Sequence, residues 1–283
     1  MNELFLERMR EMLKDEFPAY LEKLNDPARK GLRINTLKIT PDDFFACTNY
    51  ELEKSPFAKN GYYANIKSGV GFTPEHMSGF FYIQEPSASS AVTILDPKPG
   101  MKVLDMCAAP GSKSTQISEM LEQEGLLVAN EIHPTRSRVL LENIERCGSA
   151  NTIVLNNDPK DISKAFPEFF DMVLCDAPCS GEGMFRKEDQ AVEQWSLENV
   201  QACALRQLYI LEEAYKCLKP GGTMVYSTCT FAMEENELCM QKFIQEHPDM
   251  HLVPIEVDFG RKAFDVGCHT DYARRIFPMD GGE

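Results

Sequence analysis

The sequence predicts an α/β protein, a doubly wound and mostly parallel sheet preceded by a small α+β segment. Three observations point there. The 283 residues suffice for one large domain and a small one. After Pro99, short apolar runs alternate with stretches of helical period, which calls for right-handed crossovers between parallel strands. Before it, a Gly, Pro and Ser-containing connector separates a differently patterned segment.

In chain order, residues 2 to 24 read as a helix, Leu32 to Ile39 as a strand, and the stretch around Tyr62 and Tyr63 as irregular. The connector VGFTPEHMSGFFYIQEPSASS sets expected boundaries at 1–72, 73–98 and 99–283. Beyond it come the strand KVLDMC and helix SKSTQISEMLEQ, the strand LLVANEI and helix PTRSRVLLENIERC, and the strand TIVLNND. DMVLCDA follows, then a long helix from about 194 to 218, the strand GTMVYSTC, the helix MEENELCMQKFIQEH and a last strand, HLVPIEV.

No apolar run has the roughly 18–20 residues of a membrane span, and MNELFLERMREMLKDEF is no signal peptide, so a cytoplasmic protein is expected. The ten cysteines contain no C-x-x-C pair, which argues against zinc and against a disulfide framework; no metal is expected. Nothing calls for an obligate dimer, so a monomer is expected. The formal charge of −15 opposes nucleic acid as a partner, but its distribution does not. Residues 1–72 carry 11 basic and 11 acidic side chains, and PARKGLRINTLK has Arg29, Lys30, Arg33 and Lys38 with no acid. These four are candidate phosphate contacts; the bland reading is a solvated strand edge. Tyr62, Tyr63, Phe80 and Phe81 are candidates to stack bases, or core.

In such sheets ligands bind at the carboxyl ends of the strands. The first of these strands ends in DMCAAPGSK, whose loop of Cys107, Ala108, Ala109, Pro110, Gly111, Ser112 and Lys113 lets backbone approach a ligand before a helix N-terminus. It is neither G-x-G-x-x-G nor a P-loop, and alone it reads equally as a tight turn. Glu131, twenty residues after Gly111, ends the next strand, at the spacing of a ribose contact. Asp158 ends the third, where an adenine amino group would sit. The three strand ends together describe an adenosine-containing cofactor. The last two carry Asp176, Pro178 and Cys179 (DAPCSG) and Cys229 (YSTC). Their strands are neighbours in the common order of this fold, so the two thiols should meet, and a strand-end thiol near Lys113 becomes a nucleophile.

DMCAAPGSK, DAPCSGEG and YSTC, with QEPSAS and RINTLK upstream, resemble the Fmu/Sun family of RNA (cytosine-5)-methyltransferases over nearly the whole chain. The resemblance implies a Rossmann-like class I S-adenosylmethionine-dependent fold. It implies cofactor contacts at 107–113, Glu131, Arg136, Asp158 and Asp176. It makes Cys229 the nucleophile and Cys179 the residue that assists product release, with Asp176 at ring nitrogen 3 and Lys113 beside the thiols. It makes the N-terminal segment RNA-contacting, with Asn35 on the substrate side, and ribosomal RNA the expected substrate. Transfer RNA, DNA with Cys179 as nucleophile, and a non-catalytic ribosome-assembly factor are the rivals. The family continues past its RxxP segment, here RRIFP (274–278), whereas this chain stops at GGE, so a truncated last sheet strand is expected.

Overall fold

A computed structural model describes residues 2–66 and 68–282. The chain opens with α1 (Glu3–Leu13) and α2 (Phe17–Leu24), not one helix. Pro18, which has no amide hydrogen, sits in the first turn of α2, and a helix can begin there but not pass through. Then come β1 (Gly31–Ile34), α3 (Pro41–Cys47), β2 (Leu52–Lys54), β3 (Gly61–Ala64), α4 (Pro74–Met77), β4 (Phe81–Gln84) and α5 (Ser90–Leu95). The second half comprises β5 (Lys102–Asp105), α6 (Ser112–Met120), β6 (Leu126–Asn130), α7 (Pro134–Cys147), β7 (Thr152–Leu155), α8 (Pro159–Ala165) and β8 (Phe170–Asp176). It continues through α9 (Asp189–Gln194), α10 (Leu197–Cys217), β9 (Leu218–Ser227), α11 (Glu237–Glu246), β10 (Arg261–Lys262) and β11 (Arg274–Arg275).

The chain divides into two compact units. One holds Lys30–Ala177 and Tyr209–Ser227. Its main sheet is parallel, with strand order β7-β6-β5-β8-β9, so the order reverses between β5 and β8 and makes a topological switch point at their carboxyl ends. Val103, Leu104, Leu127, Val128, Val173 and Leu174 are fully buried, as strands covered on both faces must be. The same unit contains an antiparallel sheet of order β2-β3-β1-β4, with its own core of Leu32, Ile34, Phe44 and Phe81. Three of its strands lie in stretches that read as irregular or connecting: at three or four residues each they are too short to show a period.

The other unit gathers the N-terminal segment through Arg29, Pro178–Leu208, and the chain from Thr228 onward. Its core is aromatic, built from Phe5, Met9, Phe17, Tyr20, Phe185, Trp195, Phe231 and Phe277. Phe5 meets Phe185 edge-on at 4.8 Å and Phe231 stacks on Phe277 at 5.1 Å. Arg275, of the RRIFP segment, is buried against the carboxylate of Glu237 and donates to the Phe231 carbonyl at 2.9 Å. The expected strand at 251–257 is not formed. Pro254 has no N–H for a ladder, and Val253 is exposed.

Candidate active site

At the carboxyl end of β5, Asp105 is fully buried. Its Oδ2 accepts the Ser114 hydroxyl at 2.6 Å, while Oδ1 has no partner among the described residues. Burial first, and then the negative charge of Asp176, raise this carboxyl to about 7 against the favourable Ser114 bond. The following loop is held from outside: Arg136 donates to the Ala109 carbonyl at 2.9 Å and Asn143 to that of Pro110 at 2.8 Å. Cys107 is partly exposed, and burial of its sulfur pushes the thiol well up, so it stays protonated. Gly111, at φ 111°, brings the loop so close to α7 that a Cβ would lie 3.2 Å from Leu140 and 3.3 Å from Asn143. Ser112 opens α6, and Lys113 pairs with Asp176 at 2.7 Å. Ser227, at the end of β9, donates to the other oxygen of Asp176 at 2.7 Å.

The acids expected at the next two strand ends have partners of their own. Buried Glu131 accepts the His133 N–H at 2.9 Å and meets Arg136 at 3.3 Å. Asp158 caps α8 by accepting the Lys160 N–H at 2.9 Å, and the Tyr209 hydroxyl, which donates to it, holds it below the usual carboxylate range.

In the other unit the two singled-out cysteines meet. Their sulfurs are 3.0 Å apart, and the Cys229 N–H donates to the Cys179 sulfur at 3.3 Å. Cys229 is exposed and Cys179 partly so. The Cys229 sulfur and then burial push the Cys179 thiol well up, against the favourable Cys229 N–H bond. A cavity of about 300 Å3 opens on both sulfurs and is walled by Met184, Gln190, Gln194 and Asn199 among others. This arrangement suits addition of a thiolate to an electron-poor ring, with a second thiol as neighbouring proton carrier.

Sequence reasoning missed three buried residues of this unit, Glu182, Gln207 and Glu235, which bond to the cysteine-bearing loops. A signal was present: acids three residues after one cysteine and six after the other.

The basic stretch splits. Lys30, Lys38 and Arg29 are exposed. Arg33 and Asn35 correct the expectation of an RNA surface, since each is only 2% exposed. Arg33 pairs with Glu119 at 3.2 Å, and Asn35 donates to the carbonyls of Gly79 and Cys147, both at 2.8 Å. Tyr63 and Phe81 are core, while Tyr62 and Phe80 are partly covered. Among the described residues no group of His, Cys, Asp or Glu is arranged to hold a metal, and no helix is long and apolar enough to cross a membrane.

Comparison with known proteins gives this geometry a context. The family model "16S rRNA methyltransferase RsmB/F" matches residues 92–282, and that of the "N-terminal domain of 16S rRNA methyltransferase RsmF" matches 1–86. Ribosomal RNA small subunit methyltransferase F of Erwinia tasmaniensis is 39% identical over 98% of this chain and 61% of its own length. The Vibrio vulnificus protein of that name is 44% identical over 83% of this chain and 52% of its own. The chain thus spans between about half and three-fifths of the length of these relatives. A crystal structure of a methyltransferase homolog protein from Pyrococcus horikoshii is 30% identical and superposes with a TM-score of 0.85, covering 99% of this chain and 92% of that one. The expected Rossmann-like methyltransferase architecture is therefore the observed one. With its two diagnostic cysteines in contact and the family model running through the whole parallel sheet, the chain belongs to the RsmB/F family of 16S rRNA methyltransferases.

Proposed function

We propose that the chain methylates carbon 5 of cytosine in RNA, ribosomal RNA being the substrate, with S-adenosylmethionine as methyl donor. The observation that carries this is the 3.0 Å contact between the sulfurs of an exposed Cys229 and a partly exposed Cys179.

The switch-point end of the parallel sheet fits the donor. The 107–113 loop offers close backbone approach, Glu131 directly follows β6, Asp158 lies three residues past β7 as the cap of α8, and the buried Asp105 oxygen leaves an acceptor for a polar ligand group. Arg136 orders the loop from behind. When bound, S-adenosylmethionine supplies an electrophilic methyl group; the remaining tasks fall to the chain. Cytosine carbon 5 is a poor nucleophile because the ring is aromatic and electron-poor. Cys229 adds to carbon 6 as a thiolate, breaks the aromaticity and makes carbon 5 nucleophilic. Asp176, held by Lys113 and Ser227, is assigned to ring nitrogen 3, where a shared proton stabilises the developing charge. After methylation a water molecule takes the carbon 5 proton, the freed electron pair re-forms the C5–C6 double bond, and Cys229 leaves with the C6–S pair, Cys179 lying beside it to help the elimination. The base must be unstacked to react, which favours single-stranded or flipped nucleotides. Arg29, Lys30 and Lys38 are the proposed phosphate contacts. The chain acts in the cytoplasm as a monomer.

RNA carrying 5-fluorocytosine tests the assignment, because fluorine at carbon 5 cannot leave as a proton does. Wild type should remain covalently bound to it in a donor-dependent way and Cys229→Ala should not. Trapping that needs Cys179 instead would reverse the roles of the two thiols, and absence of any methyl transfer to RNA would remove the proposal.

A further inference from the structure

Each cysteine-bearing loop carries a buried glutamate that bonds to the other loop. Glu182, three residues after Cys179, accepts the amide N–H of Phe231, two residues after Cys229, at its Oε2 (2.9 Å). Its Oε1 accepts the indole N–H of Trp195 at 2.9 Å. Glu235, six residues after Cys229, accepts at one oxygen both the amide N–H of Ser180 (3.0 Å), next to Cys179, and the side-chain amide of Gln207 (2.8 Å). Gln207 donates its other hydrogen to the Pro178 carbonyl at 3.1 Å, on the far side of Cys179. The Gly183 N–H donates to the Cys229 carbonyl at 2.9 Å, and the hydroxyls of Ser180 and Thr230 meet at 2.9 Å.

We propose that Glu182 and Glu235 are positioning residues, each rooted in one cysteine loop and gripping the backbone of the other, which together hold the two sulfurs in contact. Burial raises both carboxyls, a penalty that an apolar residue of similar volume would not carry. Its occurrence on both loops, in reciprocal form, is explained by what the grips fix: the meeting of two thiols on separate turns. The catalytic importance of that meeting rests on the function proposed above; the grip itself does not.

The two glutamates differ in a way that can be read out. Glu182 uses both oxygens against N–H donors that cannot reverse, so a glutamine there sets N–H against N–H at one of them. Glu235 uses a single oxygen for both amide donors, and the Ser180 hydroxyl that also bonds this carboxyl can turn to accept. Glu235→Gln should therefore keep the grip that Glu235→Ala loses, whereas Glu182→Gln should fail like Glu182→Ala.

The assay uses the reduced full chain without RNA or donor. Diamide oxidises the pair: the two thiols lose two protons and two electrons, the azo group becomes a hydrazine, and a Cys179–Cys229 disulfide forms that peptide mass spectrometry counts. Wild type should link readily, Glu182→Ala, Glu182→Gln and Glu235→Ala at least tenfold more slowly, and Glu235→Gln within about twofold of wild type. Equal linking rates for Glu182→Gln and Glu235→Gln, or alanine variants that link as wild type does, would overturn the proposal. Where an alanine variant fails to fold, the contrast between the two glutamine variants decides. If that contrast holds while wild type transfers no methyl group, the proposed function falls and the clamp stands. With methyl transfer established, kcat should fall in Glu182→Gln with KM for the donor unchanged, and an unchanged kcat would also count against the clamp.

Discussion

Replacing Arg33 should damage the fold and leave RNA binding alone. Its guanidinium is almost wholly buried and makes four directed contacts: Nε to Glu119 at 3.2 Å, Nη1 to Gln84 at 2.8 Å and the Ser112 carbonyl at 2.9 Å, and Nη2 to Thr115 at 2.8 Å. Glu119 in turn takes Thr36 at 3.1 Å and Asn60 at 2.8 Å. Arg33→Met fills the volume of the stem but leaves the Glu119 carboxylate buried with neutral donors only, and strips donors from Gln84 and Ser112. Breaking a buried pair from one side costs about 3–5 kcal/mol. At about 2–4 °C per kcal/mol for a chain of this size, the melting temperature should fall by about 10 °C. Removing both charges in Arg33→Met/Glu119→Leu should cost clearly less than the two single changes added, a coupling on the order of 1–3 kcal/mol. Thermal melting of the four proteins followed by circular dichroism supplies the cycle. An Arg33→Met protein that melts within 2 °C of wild type but binds RNA more weakly would refute the reasoning.

Asp105 should make stability depend on pH. Folded, it holds its proton to about 7, whereas the unfolded carboxyl releases it near 3.8. Its contribution is therefore complete below about pH 4 and is lost as pH rises through 7, by an amount on the order of 4 kcal/mol. Wild type should lose more melting temperature than Asp105→Asn between pH 5 and 8, and parallel curves would contradict this. Lys30→Ala and Lys38→Ala should weaken RNA binding evenly across sequences and each lower the slope of log affinity against log salt by about 1; an unchanged slope removes them from the interface. Gly79→Ala should destabilise by at least about 2 kcal/mol in denaturant melts. Its φ is 77°, and a Cβ would stand 2.0 Å from the Arg146 carbonyl oxygen.

Much of the architecture can be read directly from residue pattern. The alternation after Pro99 yields the five parallel strands, each expected to run one to three residues past its observed end and the last to start four residues after its observed start, and the punctuation DMCAAPG, DAPCSG and YSTC marks three of their ends. These features are local: a strand's period, a loop's small residues and a proline's missing donor act within a few residues, so linear sequence carries them. The family resemblance adds the proposed division of roles between the two thiols, and that no local rule supplies. The failures are instructive in the same terms. RINTLK reads as a basic edge, yet its arginine is consumed by Glu119, 86 residues away, and its asparagine by carbonyls at 79 and 147. HLVPIEV has the composition of a strand but no ladder to join. The strand order β7-β6-β5-β8-β9 and the partnership of Glu182 with Phe231 and of Glu235 with Ser180 were settled only in three dimensions. Whether a charged side chain meets solvent, a phosphate or a buried counter-charge depends on which distant segment packs over it. The low-dielectric interior then makes the pairing decisive, and neither spacing nor composition along the chain encodes that choice.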